Sequence, residues 1–169
     1  GNTSLIKKIN FPRNILCQVN VAQDAFHFAL TIPVIACVFL IFDLPLFWSY
    51  LWGLPLLIIL QSVFLYSVSL FLASINLFFR DTENLIRFFL MFSMYMTPVM
   101  YSEEMIPEKF KSLIVLNPFA PLIISWRSLF FKGELSAYYI VILSGYCLLF
   151  WVCSHWVYKK LAKRFAEVL

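Results

Sequence analysis

The chain has 169 residues, of which 62% are hydrophobic and 13% are charged, and its formal net charge is +4. Soluble domains carry about 25% charged residues, so this composition excludes an ordinary water-facing surface and indicates that lipid surrounds the chain. The basic residues stand in short groups between apolar segments, which argues against a nucleic-acid-binding surface and favours membrane lipid as the neighbour. We therefore predict an all-α polytopic membrane protein.

Four apolar segments predict spanning helices, and their ranges are 24–43, 54–79, 83–101 and 135–158. A helix needs about 20 mostly apolar residues to cross a bilayer. The third segment is short by this measure, because its apolar part begins at Phe88 and is interrupted at Pro98. It crosses only if the helix begins near Glu83 and the Arg87 side chain extends back to the membrane surface.

The region 103–132, between the third and fourth predicted spans, is apolar but interrupted. It contains Asn117, Pro118, Pro121 and Arg127. Two prolines and a charge near the middle of a spanning helix are costly, whereas the backbone of a re-entrant hairpin broken at Asn117 is covered by protein. We predict an external loop that contains a re-entrant or interfacial helical hairpin.

The distribution of basic residues predicts the orientation. With the N-terminal segment, the cluster at 80–87 and the C-terminal tail on one side, that side holds nine basic residues against four. Basic residues concentrate on the cytoplasmic side, so both termini are predicted to be cytoplasmic. The cluster of Arg80, Asp81, Glu83 and Arg87 then forms a cytoplasmic turn. A solvated turn, a local ion-pair network and a docking surface are all compatible with its composition.

Motifs for catalysis are absent from the sequence. It contains no GxxxxGK[ST] phosphate-binding loop, no HExxH and no GxSxG, so we predict no ATP hydrolysis and no catalytic residue in this chain. His27 and His155 are isolated in the sequence, and the four cysteines form no CxxC pair. We therefore predict neither a metal site nor a cofactor in this chain.

Five segments carry a resemblance to a known family, and in chain order they read "LIKKINFPRNIL", "NLFFRDTENLIRFF", "TPVMY", "LNPFAPLI" and "WRSLFFKG". Together they resemble the membrane subunit of type 2 ABC exporters for polysaccharides such as O-antigen, capsule and teichoic acid. The resemblance implies a six-span permease of the bacterial inner membrane that pairs with a second copy. It also implies two separate ATP-binding subunits, which hold ATP and Mg, and a lipid-linked polysaccharide as substrate. This chain would be the C-terminal part, with four of the six spans.

The resemblance also implies roles for two cytoplasmic elements. Residues 1–20 are similar to the coupling segment on which the ATP-binding subunit acts, and the implied contact residues are Leu5, Ile6, Lys7, Lys8, Phe11, Pro12 and Arg13. A basic segment that only sets the membrane orientation is the alternative. The turn of Arg80, Asp81, Glu83 and Arg87 is similar to a second cytoplasmic element.

On the external side, the resemblance implies that the re-entrant hairpin closes the exit, with Pro98, Tyr101, Asn117, Pro118 and Arg127 as its marker residues. Asn117 would cap the helix break beside Pro118. Arg127 would meet a phosphate or an acidic sugar, and the alternative is a side chain that extends to the membrane surface.

Aromatic rings on the third span are candidates for the polysaccharide path. Phe88, Phe89, Phe92 and Tyr95 lie at near-helical spacing, and sugar rings stack on aromatic faces. Rings that face lipid or pack against other helices are the alternative. For the whole chain, the alternatives are a type 2 ABC permease for a drug or lipid and an inactive truncated membrane protein.

Overall fold

The computed structural model describes residues 13–76, 79, 81–99, 101, 105–107, 109 and 114–162. In this part of the chain there are five α-helices and no strand, so the all-α class is confirmed. The helices are α1 (Arg13–Ile41), α2 (Tyr50–Asn76), α3 (Thr82–Met96), α4 (Phe119–Lys132) and α5 (Ala137–Ala162). The predicted coupling segment lies outside the described residues up to Pro12.

Three of the described helices are long and apolar enough to cross a membrane, by length and composition: Asn14–Ile41 in α1, Tyr50–Asn76 in α2 and Ala137–Leu161 in α5. The third predicted span, 83–101, has a different outcome. The helix α3 has 15 residues, which corresponds to about 22 Å, against a hydrocarbon core of about 30 Å. A crossing by this third predicted span, and with it the arrangement of four spans, is therefore not confirmed.

The early end of α3 has a local cause. Thr97 adopts extended backbone with φ −89° and ψ 138°, as expected for a residue that directly precedes a proline. Its N–H still donates to the carbonyl of Ser93, so the helical hydrogen bonds stop one residue before Pro98.

The other helices begin earlier or end later than the apolar segments that predicted them. The helix α1 begins at Arg13 rather than near residue 24, because 13–23 contains neither proline nor glycine and the helix continues beyond the apolar part. The later part of the predicted coupling segment is therefore helical and continuous with α1. Similarly, α5 continues past residue 158 through Lys159 and Lys160.

The helices α2 and α5 lie side by side and run in the same direction. The Cys147 Sγ donates to the Leu60 carbonyl at 3.5 Å, and further along both helices the rings of Tyr66 and His155 are 6.1 Å apart. Together with α4, these two helices form the buried core of the described chain. This pair is the frame against which the shorter helices pack.

The helix α4 covers only the first half of α2 and runs in the opposite direction. At its beginning, the Phe119 ring is 5.5 Å from the Phe64 ring, near the midpoint of α2. At its end, the Phe130 carbonyl accepts a hydrogen bond of 2.9 Å from the Tyr50 hydroxyl, at the start of α2. Seven of its side chains are buried, namely those of Ala120, Pro121, Leu122, Ile124, Ser125, Trp126 and Leu129.

Two glycines give a stability prediction. Gly133 ends α4 with φ +66°, and the Phe47 ring occupies the space of a Cβ, whereas a Cβ on Gly145 in α5 would meet nothing within 4 Å. We expect Gly133→Ala to cost about 2 to 4 kcal/mol through backbone strain and displacement of the ring. Gly145→Ala, the matched control, should be neutral or stabilise α5 by up to about 1 kcal/mol. Thermal unfolding in detergent measures both, and equal losses would contradict the prediction.

Candidate functional site

The helix α3 lies beside the second half of α2 and borders an open apolar cavity of about 480 Å³. Its walls include Phe64 of α2, Phe89 of α3, Phe119 of α4 and Phe150 of α5. A polar occupant would lose hydrogen bonds to water in such surroundings without replacing them. The cavity is therefore suited to hydrocarbon.

The predicted aromatic group on α3 is divided between two faces. Phe88, Phe92 and Tyr95 are 73%, 63% and 66% exposed, and their spacing of four and three residues places them on one face of the helix. Phe89 is also 56% exposed, but it lies about 100° around the helix from Phe88 and borders the cavity. We call the surface formed by the other three rings the α3 aromatic face (Phe88, Phe92 and Tyr95).

The end of α3 meets the beginning of α4 in a buried polar cluster, which we call the junction (Ser93, Thr97 and Asn117). The Thr97 hydroxyl donates to the Ser93 carbonyl at 2.7 Å and accepts a hydrogen bond of 2.8 Å from the Asn117 Nδ2. The Asn117 Oδ1 in turn accepts the Phe119 N–H at 3.0 Å. Asn117 thus caps α4 with one end of its side chain and joins it to α3 with the other.

The junction lies about halfway along α2 and α5. Phe119, two residues after Asn117, contacts Phe64, whose ring is also 5.7 Å from that of Phe150. Phe64 and Phe150 are close to the midpoints of their helices. Where α2 and α5 cross a bilayer, the junction is therefore near its middle, a depth at which backbone and side-chain polar groups require partners.

Arg127 fixes the segment that follows α3. Its Nη1 donates to the Tyr101 carbonyl at 2.7 Å and to the Pro98 carbonyl at 3.5 Å. This side chain projects from α4 nearly three turns beyond Asn117. The structure thereby brings together all the marker residues predicted for the hairpin: Pro98, Tyr101, Asn117, Pro118 and Arg127.

The hairpin itself is described only in part. The helix α4 is one arm, and the Val115 carbonyl, just before Asn117, accepts a hydrogen bond of 2.8 Å from Tyr146 of α5. The preceding arm would lie at 102–113, where only 105–107 and 109 are described. The complete re-entrant hairpin therefore stays a prediction.

At the predicted cytoplasmic turn, the structure places one ion pair. The Arg87 Nη2 is 2.6 Å from the Glu83 Oε1, and both side chains are exposed. Such a pair contributes about 0.3–0.5 kcal/mol on a helix surface. Asp81 makes no capping hydrogen bond, and Arg80 lies outside the described residues.

Sequence reasoning missed two polar contacts at this site. Thr97 was not selected, although a hydrogen-bonding residue directly before Pro98 was an available signal. The Trp126 Nε1 donates to the Gln61 Oε1 at 2.8 Å, across 65 positions of the chain, and no sequence signal linked these two residues. Over the described ranges, no three His, Cys, Asp or Glu side chains form a group that could hold a metal ion.

The three long apolar helices and their largely exposed hydrophobic surface define a multi-pass α-helical membrane protein. Residues 19–131 match the ABC-2 type transporter family. This match covers more than half of the sequence, so the chain belongs to the ABC-2 type transporter family.

Individual relatives agree with this assignment. The chain is 40% identical over 169 residues to the "O-antigen export system permease protein RfbA" of Klebsiella pneumoniae and 26% identical over 167 residues to the protein of that name from Myxococcus xanthus. The alignments cover 100% and 96% of this chain but 65% and 64% of the relatives. The chain thus spans somewhat less than two thirds of their length. The family predicted from the five sequence segments is confirmed.

Proposed function

We propose that the chain belongs to the membrane-spanning subunit of an ATP-driven exporter that moves lipid-linked polysaccharide of the O-antigen type out across the bacterial inner membrane. The observation that carries this proposal is the alignment of the whole chain with an O-antigen export permease at 40% identity. The apolar helices agree with a transport subunit rather than an enzyme.

The proposed orientation places both termini in the cytoplasm. Gln18, near the start of α1, contacts Tyr66 in the second half of α2. The start of α1, the end of α2 and the end of α5 therefore lie at the same end of the bundle. Arg87, Lys159 and Lys160 belong to this end, and a concentration of basic residues supports a cytoplasmic assignment.

The proposed partners are two ATP-binding subunits and a second copy of the permease. ATP and Mg belong to the ATP-binding subunits, since this sequence has no phosphate-binding loop. Residues 1–20 are the proposed coupling segment, and the turn at 80–87 is the second cytoplasmic contact. Because α1 begins within this segment at Arg13, a displacement of the segment would move α1 as a continuous helix.

The proposed path runs from the cytoplasmic end of α3 to the external end of α4. The α3 aromatic face would offer rings on which sugars stack. It would form few hydrogen bonds to the polysaccharide, so the polysaccharide could slide along it. Beyond the junction, α4 and the region 98–118 would close the external half of the path until the polysaccharide arrives.

Complementation tests the function. The natural gene that contains this sequence is expressed, with its candidate ATP-binding partner, in a bacterium that lacks its own O-antigen export permease. We expect surface O-antigen to return and the ATP-binding protein to purify together with the permease. A permease for a drug or lipid would purify with the ATP-binding protein without restoring surface polysaccharide. An inactive membrane protein would do neither, and either of these results would refute the proposal.

A further inference from the structure

The junction places three polar side chains in apolar surroundings, and all three are buried. Near the middle of spanning helices, a polar group without a partner is costly, and here the Thr97 and Asn117 side chains bond to each other while the Ser93 carbonyl accepts from Thr97. The Thr97 hydroxyl donates its proton to the Ser93 carbonyl of α3, and its oxygen accepts a hydrogen bond from the Asn117 Nδ2. Between α3 and α4, therefore, the described link at this depth is the single hydrogen bond from Asn117 to Thr97.

Apart from this link, α3 is loosely attached. Ser93 is its buried side chain among those of 82–96, whereas the apolar side chains facing α2 border an open cavity. Dense packing resists displacement, but a helix bounded by a cavity on one side can tilt without breaking many contacts. Few interactions would then separate a closed arrangement of α3 and α4 from an open one.

Arg127 supplies a second point of attachment. Its guanidinium reaches the Tyr101 carbonyl from α4, so the segment after α3 lies along α4 beyond the junction. A charged donor makes a stronger hydrogen bond than a neutral one. The two attachments hold Thr97 beside Asn117 and Tyr101 beside Arg127, and the end of α3 can leave α4 only when both are released.

We propose that Asn117 and Arg127 are positioning residues that latch the end of α3 to α4 and keep the transport path closed between export events. The latch consists of the Asn117–Thr97 and Arg127–Tyr101 hydrogen bonds. This role rests on the proposed export function, in which α4 lies in the external half of the path. Movement of α3, driven through the cytoplasmic turn at its beginning, would break both bonds and open the path.

The test is passive leakage through the resting protein. The complex is purified, reconstituted into vesicles loaded with a pH-sensitive dye, and exposed to a pH step without nucleotide. We expect Thr97→Val, which removes the acceptor for Asn117, and Arg127→Met, which removes the charged donor, each to raise the leak about tenfold, with a larger effect when combined. Thr97→Ser and Arg127→Lys keep a hydroxyl and a donor, and should leak as little as the wild type.

Ser62→Ala is the matched control outside the latch. The Ser62 hydroxyl bonds to the Ile58 carbonyl within α2, so its loss removes a hydrogen bond without freeing α3. Folding is checked by thermal unfolding of every variant in detergent. If Thr97→Val and Arg127→Met lower the unfolding temperature without raising the leak, the two residues are only structural and the latch is refuted.

The leak is measured without polysaccharide, so it separates the latch from the export function. A wild type that restores surface O-antigen, with variants that do not leak, would overturn the latch alone. A wild type that fails to restore O-antigen, with Thr97→Val and Arg127→Met leaking but Thr97→Ser and Arg127→Lys not leaking, would overturn O-antigen as the substrate and uphold the latch as the closure of a transport path.

Discussion

Trp126→Ala is expected to destabilise the protein by about 3 to 5 kcal/mol, the range for removing a buried large aromatic side chain. The indole is 8% exposed and stacks on Phe130, with ring centroids 5.5 Å apart. The Phe28 ring of α1 packs against the indole at an interplanar angle of 64°, with ring centroids 4.9 Å apart, and the indole Nε1 donates to the Gln61 Oε1 of α2 at 2.8 Å. One side chain therefore joins α4 to both α1 and α2.

The size of the loss depends on packing more than on hydrophobicity. Lipid is as apolar as the protein interior, so helices in a membrane associate through close packing and hydrogen bonds. Trp126→Ala removes both the close packing and the hydrogen bond. It leaves the side-chain Oε1 of Gln61 without the Trp126 N–H that donates to it. Thermal unfolding in detergent and the amount of protein in the membrane would both fall. Trp156→Ala is the matched control, because Trp156 is largely exposed at the end of α5.

A second set of variants separates the ring from its N–H. Trp126→Phe keeps an aromatic side chain but leaves the Oε1 of the half-buried Gln61 without its Trp126 donor, and we expect a loss of about 1 kcal/mol. Adding Gln61→Leu removes the oxygen that has lost its donor, so the double variant should regain part of the lost stability. If Trp126→Ala unfolds at the same temperature as Trp156→Ala, α4 is not held to α1 and α2 through this residue.

The long helices could be predicted from the sequence because long apolar segments have few alternatives in lipid. A segment such as 54–79 must satisfy its backbone internally, and a helix does so. The helix ends were less predictable. The helix α1 begins at Arg13, well before the apolar part. Polar residues without proline or glycine are compatible both with a helix and with a loop, so they do not mark where the helix begins.

The candidate site was predictable in some of its residues, though not Thr97, and not in its contacts. Pro98, Asn117 and Arg127 stood out because proline, an amide and a charge are unusual in apolar segments. The bond between Asn117 and Thr97 spans 20 positions, and it exists because α4 begins where α3 ends. Such pairing is a property of the packed helices, which local sequence does not contain.

The aromatic residues of α3 could also be selected from the sequence, but their surroundings could not be predicted from it. Helical spacing alone grouped Phe89 with Phe88, Phe92 and Tyr95. The position of α2 beside α3 decides which face is covered, and it assigns Phe89 to the cavity. We therefore restrict the proposed sugar contacts to the three rings of the α3 aromatic face.

Replacing Phe88, Phe92 and Tyr95 together with leucine is expected to reduce polysaccharide export strongly while leaving the fold intact. Leucine is a good helix former and stays apolar, so insertion and the stability of α3 should change little. Leucine has no ring face, however, and each lost stacking contact is worth about 1 kcal/mol. Three such losses correspond to roughly a hundredfold, since each 1.4 kcal/mol is about tenfold.

Surface O-antigen in the complemented strain, compared at equal amounts of permease, measures the effect. Phe89→Leu should lower export little, because its ring lies in the cavity, and Phe26→Leu on the exposed surface of α1 is the control for a lipid-facing ring. Exchange of Phe88 and Phe92 for tyrosine keeps the ring faces and should keep export. If the triple leucine variant exports like the wild type, the α3 aromatic face contacts lipid or another helix, and the sugar path runs elsewhere.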